Sequence, residues 1–342
     1  MYKAFVSVAC LGLATTGLVS ASSAQNAVAP KPAITAPGID MDVLHMQVIL
    51  AKLGFSPGVL DGKTGQSLTA ALRGFQTSRG LKVTGEADAE TLRALHQYRG
   101  WRPTRELIVA PSTAAGPFTY PFPKEPADQA KLEALNYTNL LEKLAEQFHT
   151  TPATLVALNG RNAQLSAGSK LIFPNALPLS RDYPASLSEA WRNTLGGLNV
   201  SATQPEAARI VVDKSDGVLR VYDKADKLVA QFPATMGSSS DPLPLGKWTI
   251  KGTAYNPTWS YNPAILKTAD KSDAKVEVPP GPNSPVGVVW IDISKPHYGI
   301  HGTNEPSTIG RAESNGCIRL TNWDAARLSL MVKPGTPALF QA

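Results

Sequence analysis

Cysteine is very scarce in this chain, with only Cys10 and Cys317 among 342 residues. Cys10 lies in the apolar run "AFVSVACLGLATTGLVSA", which follows Lys3 and precedes the small residues of "SSAQ". This pattern is typical of an export signal that is cleaved after Ala24. Residues 1–24 are therefore predicted to be a signal peptide, with a retained membrane helix or a lipoprotein signal ending at Cys10 as alternatives.

Removal of such a signal would leave Cys317 as the only thiol of an exported protein. A single cysteine excludes an intramolecular disulfide, whatever the redox state of the compartment. An odd thiol in an exported protein is either a buried bystander or a reactive group. The sequence thus directs attention to the stretch "ESNGCIRLTN" around Cys317.

Long runs of like charge are also missing. The 33 Lys and Arg residues outnumber the 27 Asp and Glu residues and give a net charge of +6, but no block of five or six basic residues occurs. Scattered charge of this kind argues against nucleic acid as a partner and fits attraction to an anionic envelope polymer or lipid surface. The length of 342 residues and the hydrophobic content of 43% predict two or three folded domains.

Three connectors are predicted from composition, at residues 25–38, 99–136 and 178–206. The first region, residues 41–98, lies between the first and second connectors and carries apolar residues at helical spacing in "DVLHMQVILAKLGF", "QSLTAALRGFQTSRGL" and "DAETLRALHQY". It resembles the peptidoglycan-binding type 1 domain, a small all-α module. The resemblance is carried by Leu53, Gly54, Asp61, Gly62, Gly65, Ala71, Phe75, Gln76, Gly80, Leu81, Gly85, Asp88, Thr91 and Leu92. A helical scaffold with another ligand is the alternative.

The second region, residues 137–176, predicts two short helices in "YTNLLEKLAEQFHTTPATLVALNG" and a closing strand in "LSAGSKLIFPN". It resembles a LysM module, a small α+β fold, and this resemblance implies binding of N-acetylglucosamine polymers. An opening strand before the first helix is not evident in the sequence.

The third region, residues 207–341, alternates apolar and polar residues in "RIVVDKSDGVLRVYDKADKLVAQFPATMG", as expected for strands with one buried face. Only "TNWDAARLSLMV" predicts a helix, with Thr321 and Asp324 in capping-box spacing. This region is predicted to be a mainly-β sandwich or barrel, so the whole chain is predicted to be multidomain.

His301 in "YGIHGT" and Cys317 in "SNGCIR" are the residues of this region that carry chemistry. A histidine within hydrogen-bond reach can deprotonate a thiol or stabilise its thiolate, so Cys317 is predicted to alkylate faster than the thiol of a free peptide. Gly302 and Gly316 beside them let the backbone turn sharply and let a substrate approach. The backbone N–H groups of Gly316 and Cys317 are candidates for stabilising an oxyanion, and a backbone carbonyl between Tyr298 and Thr303 is expected to hold the other ring nitrogen of His301.

These residues resemble the L,D-transpeptidase catalytic domain, the YkuD family. The pattern is met by His301, Gly302, Ser314, Gly316, Cys317, Ile318 and Arg319, and "GSSSDPLPLGKWTI" matches a stretch that precedes the family's site. The chain departs from the family at Asn315, where a histidine is usual. Because the resemblance makes His301 the base, and because asparagine can still donate a hydrogen bond, we expect activity to survive. The resemblance also implies that Arg319 holds a substrate carboxylate.

The resemblance implies acyl transfer on peptidoglycan stem peptides. Cys317 would attack the carbonyl of the L-centre of a diamino acid at stem position 3, expel the terminal D-Ala and form a thioester that an amine resolves. The implied partners are peptidoglycan stems and glycan, with an anchored envelope protein as a second type of acceptor, and the implied location is the periplasm. No metal or organic cofactor is implied.

Three alternatives remain open from the sequence. A hydrolase of the same fold would use water as the acceptor, as a carboxypeptidase or a cross-link endopeptidase. A wall-binding protein without activity would fit the departure at Asn315. A zinc site would use His297, His301 and Cys317, but on a strand the two histidines would stand about 13 Å apart at roughly 3.3 Å per residue.

Overall fold

The computed structural model describes residues 38–239, 241–264, 269–311 and 316–342. The predicted signal peptide, residues 1–24, lies outside the described residues, as do Ser314 and Asn315. Within the described part of the chain, no helix combines the length and the apolarity that a membrane crossing requires.

Residues 41–98 fold into three helices, as predicted: α1 (Met41–Lys52), α2 (Gln66–Arg79) and α3 (Ala89–His96). The starts of α1 and α3 follow from capping, because the Asp40 carboxylate accepts from the backbone N–H groups of Asp42 and Val43, and the Asp88 carboxylate accepts from that of Thr91. Their apolar faces enclose a core around Leu50, Phe75 and Leu95.

The middle of the chain contains more regular structure than the sequence predicts. Its elements are β1 (Thr104–Ile108), α4 (Pro111–Ala114), α5 (Pro126–Gln129), α6 (Leu140–Gln147), α7 (Pro152–Asn159) and β2 (Lys170–Pro174). β1 pairs antiparallel with β2, with Glu106 opposite Ile172. The prediction that residues 99–136 form only a connector is therefore wrong, and the opening strand comes from that segment. Helices α6 and α7 confirm the two predicted helices.

The last part of the chain begins with α8 (Glu189–Gly197), inside the stretch predicted as a connector at 178–206. That prediction is wrong at α8, because Trp191 and Leu195 are fully buried in the core of the strand-rich region that follows. The strands that follow are β3 (Arg209–Asp213), β4 (Val218–Tyr222), β5 (Leu228–Pro233), β6 (Thr235–Met236), β7 (Gly246–Tyr255), β8 (Trp259–Tyr261), β9 (Val276–Val278), β10 (Val289–Ile293), β11 (Gly299–His301), β12 (Ile318–Arg319) and β13 (Pro337–Gln341), with helix α9 (Asn322–Ser329) before β13.

Within the described residues, nine strands form one mixed sheet in the order β5-β4-β3-β13-β7-β10-β11-β12-β6. β11 pairs parallel with β12, and β13 pairs parallel with β3. The two strands at the ends of this order, β5 and β6, are separated in the chain by Ala234 alone, so the sheet curls into a near-barrel. Its interior holds the large apolar residues Phe232, Trp323 and Phe340, and α9 packs against β10 and β11.

The three regions are in direct contact. Phe55, in the loop after α1, forms a parallel β-bridge with Gln231 of β5, and the Gln231 side chain donates to the carbonyl of Ala70 in α2. The Ser56 hydroxyl donates to the Asp324 carboxylate of α9 over 2.6 Å, in a buried position. The middle region contributes His149, whose ring stacks on Trp323 with ring centroids 4.9 Å apart. Helix α9 is therefore the element that both N-terminal regions touch.

Candidate active site

The strand register places His301 and Cys317 on one face of the sheet. In the parallel pair β11 and β12, Ile300 lies opposite Ile318 and His301 lies opposite Arg319. Both isoleucines are fully buried in the barrel core. Because side chains alternate along a strand, His301 and Arg319 point to the other face, and Cys317, which directly precedes Ile318, shares that face. The Cα atoms of His301 and Cys317 are then one diagonal step apart, about 8 Å at ordinary strand spacings, which a thiol and an imidazole can bridge.

The imidazole of His301 is held by two neighbours. Its Nδ1 lies 2.7 Å from the carbonyl oxygen of Gly302, and its ring stacks on Trp290 with centroids 5.2 Å apart and an interplanar angle of 12°. A carbonyl only accepts, so Nδ1 carries the proton and Nε2 is left as an acceptor. The prediction that a backbone carbonyl near Tyr298 to Thr303 orients this ring is confirmed.

Burial keeps the His301 ring neutral. The side chain is 4% exposed. Loss of solvent lowers its pKa from 6.5 to about 4, with the Arg319 charge acting in the same direction and the Gly302 hydrogen bond acting against them. At neutral pH the ring is therefore a base with a free lone pair on Nε2.

Burial also keeps Cys317 protonated. It raises the pKa of the thiol, and Asp241 adds to the increase, while the backbone N–H of Gly299 and the charge of Arg319 oppose it. The Sγ atom lies 4.0 Å from the carbonyl oxygen of His297, which accepts from it. At neutral pH the structure thus presents a thiol beside a neutral imidazole.

Two glycines make room for this arrangement. Gly316, directly before the thiol, has φ +84°, and a Cβ there would lie 2.7 Å from the ring of Tyr298. Gly299 lies under Trp290, whose ring a Cβ at this position would approach to 2.5 Å. Side chains at either position would displace the aromatic rings that border the site, so both positions require glycine.

Arg319 lies on the same face as His301 and Cys317, and its charge acts on the pKa of both. Its Nε atom is buried and has no hydrogen-bond partner among the described residues. A buried donor of this kind is costly unless a partner arrives, so it suits a group that accepts hydrogen bonds.

The structure adds residues that sequence reasoning did not place in the site. Trp290 is one of these residues, because its ring stacks on His301. Asp241 and Tyr298 lie against Gly316, with the Tyr298 hydroxyl 3.4 Å from Asp241 Oδ1. Asp241 belongs to the stretch "GSSSDPLPLGKWTI", which the sequence analysis had singled out. In the structure its backbone N–H donates to the Ser238 hydroxyl over 3.0 Å, in a tight loop.

The proposed zinc ligands are not brought together as a set. His297 is exposed, and its backbone carbonyl, not its ring, is what faces the Cys317 sulfur. Across the described residues, no group of three or more His, Cys, Asp or Glu side chains is arranged to hold a metal ion.

Comparison with known proteins assigns this barrel and the helical region to families. A family model described as "L,D-transpeptidase catalytic domain" (YkuD) matches residues 207–339, and one described as "Putative peptidoglycan binding domain" matches residues 40–95. A Bacillus licheniformis protein named "Putative L,D-transpeptidase YkuD" is 33% identical over 198 residues, which cover 57% of this chain and 90% of the relative. This chain belongs to the L,D-transpeptidase family.

Other L,D-transpeptidases match over smaller shares. A Bacillus subtilis protein, "Putative L,D-transpeptidase YkuD", is 41% identical over 91 residues, or 23% of this chain and 56% of that protein. A solved structure titled "L,D-transpeptidase from Mycobacterium smegmatis" is 23% identical, covers 39% of this chain and 58% of its own, and superposes with a TM-score of 0.32. In both cases the match spans less than two thirds of the other protein.

The two main family predictions are confirmed by these matches. Residues 207–339 are an L,D-transpeptidase catalytic domain, folded as a mainly-β near-barrel, and residues 40–95 are a peptidoglycan-binding domain made of helices. The LysM-like assignment of residues 137–176 stays a prediction.

Proposed function

We propose that this chain transfers acyl groups of peptidoglycan stem peptides through a thioester on Cys317. The observation that carries the proposal is the register of β11 and β12, which puts the thiol and an oriented, neutral imidazole on one face of the sheet. The family membership of the chain supports the same chemistry.

The first half-reaction follows from the protonation states. As the Cys317 sulfur attacks the substrate carbonyl, its proton passes to Nε2 of His301, because the ring is neutral and the thiol still holds its proton. The tetrahedral intermediate then collapses, the C–N bond breaks, and the imidazolium returns the proton to the leaving amine of D-Ala. A thioester on Cys317 remains.

The second half-reaction reverses these roles. The acceptor amine attacks the thioester carbonyl and gives its proton to Nε2 of His301, and the C–S bond breaks with the proton returned to Cys317. The backbone N–H groups of Gly316 and Cys317 are the proposed oxyanion donors, and the positive φ of Gly316 turns the backbone sharply at this point. Ser314 and Asn315 are further proposed contacts that lie outside the described residues.

Arg319 is the proposed contact for a stem carboxylate. Its guanidinium carries a buried Nε donor without a partner among the described residues, which a carboxylate would satisfy. The proposed substrate is a stem with a diamino acid at position 3 and a terminal D-Ala, with another stem or an anchored envelope protein as acceptor.

The N-terminal regions are proposed to hold the enzyme on its polymer in the periplasm. The peptidoglycan-binding domain and the LysM-like region, for which we propose N-acetylglucosamine polymers as ligand, would raise the local concentration of stems near Cys317 without any new contact at the thiol.

Mass spectrometry after incubation with a carbapenem tests the nucleophile. We expect one covalent adduct on the wild-type protein, none on Cys317→Ala, and acylation slowed by about 10² to 10⁴ in His301→Asn, the range for loss of a general base. His297→Asn is the matched control, since this exposed histidine has φ +66° and asparagine tolerates that backbone conformation. A wild-type protein that forms no adduct would contradict the proposal and favour a wall-binding role.

Product analysis tests the acceptor. Digested stems incubated with the enzyme and an added amine should yield a product that contains the amine in place of D-Ala. Shortened stems alone, in the presence of the amine, would identify a hydrolase.

A further inference from the structure

A buried carboxylate of the middle region, Glu146, binds a residue of the catalytic domain. Glu146 lies at the end of α6 in the middle region and is 7% exposed. Its Oε2 accepts from the Tyr137 hydroxyl over 2.6 Å, and its Oε1 accepts from Nδ2 of Asn322 over 2.8 Å. Both oxygens are thus bonded, one within the middle region and one to the first residue of α9 in the catalytic domain.

The amide of Asn322 has one orientation in which all its partners fit. Nδ2 donates to Glu146 and to the carbonyl of Pro282, and Oδ1 accepts from the backbone N–H of Val288 over 3.2 Å. An ionised carboxylate and a backbone carbonyl only accept, so Glu146 and Pro282 together hold Nδ2 on their side and leave Oδ1 on the side of Val288. In the flipped orientation Nδ2 would face the N–H of Val288, and two donors would meet.

Asn322 Oδ1 packs closely against the backbone of Gly287 and Gly302. A Cβ added to Gly287 or to Gly302 would lie 2.0 Å from this oxygen. Gly302 is the residue whose carbonyl holds His301 Nδ1 at 2.7 Å. A flip or withdrawal of the Asn322 amide would therefore change the packing of the peptide whose carbonyl accepts from His301 Nδ1.

We propose that Glu146 is a positioning residue for the L,D-transpeptidase reaction, acting on His301 through the Asn322 amide and the Gly302 backbone. The inference rests on the proposed role of His301. It gives the middle region a role in catalysis in addition to the proposed wall binding. Neighbouring contacts support the docking, since Leu135 N donates to Pro280 O over 2.9 Å and Asn283 Nδ2 donates to Asn136 O over 2.9 Å.

The kinetic test compares variants of Glu146 in the full-length protein. Glu146→Gln keeps an acceptor at the same reach and should restore the acylation rate at saturating carbapenem to within about twofold of wild type. Glu146→Ala and Glu146→Asp withdraw the acceptor and should lower that rate about tenfold, with little change in the carbapenem concentration for half-saturation, because misplacement by a fraction of an ångström affects the reacting geometry. Glu142→Ala is the matched control, since this acid lies one turn earlier on α6 and its carboxylate accepts from the backbone N–H and the hydroxyl of Thr138.

The second readout is the NMR signal of the His301 Nδ1 proton. It is recorded on proteins in which the five histidines are isotope-labelled. This signal should shift or broaden in Glu146→Asp and stay in place in Glu142→Ala and Glu146→Gln. Should Glu146→Ala fail to fold, the Asp and Gln variants decide the question.

Wild-type rates and an unmoved His301 signal in a folded Glu146→Asp protein would overturn the inference. Absence of any adduct on the wild-type protein would instead contradict the proposed function, and the NMR comparison would still test the positioning.

Discussion

Burial shifts both reactive side chains of the site toward their neutral forms. It lowers the pKa of His301 to about 4 and raises the pKa of the Cys317 thiol. Of the two activation modes that a Cys–His pair allows, the structure therefore favours proton transfer during attack over a thiolate–imidazolium pair formed beforehand.

Alkylation of Cys317 by iodoacetamide reports this protonation state. Because the thiol pKa is raised, the rate in the ligand-free protein is expected to keep rising beyond about pH 9, the ordinary value for the group. At neutral pH, alkylation should be slower than that of a free thiol peptide, the opposite of what the sequence alone predicts. Cys317→Ser corrects for background labelling. A rate that reaches its plateau by about pH 7 would instead demonstrate a preformed thiolate.

The sequence indicated the reacting residues and a backbone carbonyl that orients His301, but not the aromatic ring that stacks on it. His301, Gly316 and Cys317 were predicted because glycine beside a thiol or imidazole is a local signal, and Arg319 was predicted from the resemblance to the L,D-transpeptidase family. Trp290 could not be placed, since its stacking on His301 depends on the register of β10 against β11, and that register depends on residues far apart in the chain.

Helix α9 begins with a side-chain cap directly before Asn322. Its N-cap is Thr321, a fully buried residue whose hydroxyl accepts from the Asp324 N–H over 3.2 Å. The next residue is Asn322, so the cap also fixes where the helix presents that amide. The predicted capping spacing of Thr321 and Asp324 is confirmed in this respect.

Thr321→Val should reveal the strength of this cap. Valine keeps the shape of threonine and removes the hydroxyl, so the free energy of unfolding is expected to fall by about 1–2 kcal/mol, the usual cost of a lost N-cap. Thr321→Ser retains the acceptor and should lose clearly less. Urea unfolding followed by tryptophan fluorescence measures both. A Thr321→Val protein as stable as the wild type would mean that the hydroxyl cap does not stabilise the helix here.

Elements were predictable where their pattern was local. The helices of residues 41–98 and strands such as β3 and β4 follow from spacing alone. β1 was missed because its side chains are mostly exposed and its partner β2 lies far along the chain. α8 was missed because its buried face consists of little more than Trp191 and Leu195, which acquire a core only when the barrel is present.

At the scale of the whole molecule, buried polar contacts join the peptidoglycan-binding domain to the catalytic domain. Asp324 is fully buried, and burial raises its pKa, while Arg327, Ser56 and Thr321 favour the charged form. The Ser56 hydroxyl at 2.6 Å is the contribution of the helical domain to this carboxylate. A contact of this kind stabilises the docked arrangement only while both partners are in place, because either group left alone in the interior lacks its hydrogen bond.

Ser56→Ala is therefore expected to destabilise the catalytic domain from outside it. Loss of the donor to a buried carboxylate costs about 1–3 kcal/mol. If the domains unfold together, calorimetry should show one transition whose midpoint falls by roughly 2–4 °C per kcal/mol. Ser78→Ala is the matched control, because that hydroxyl donates to the Phe75 carbonyl of its own helix. Two separate transitions, with the mutation moving only the one that belongs to the helical domain, would show that the barrel keeps its stability without the docked domain.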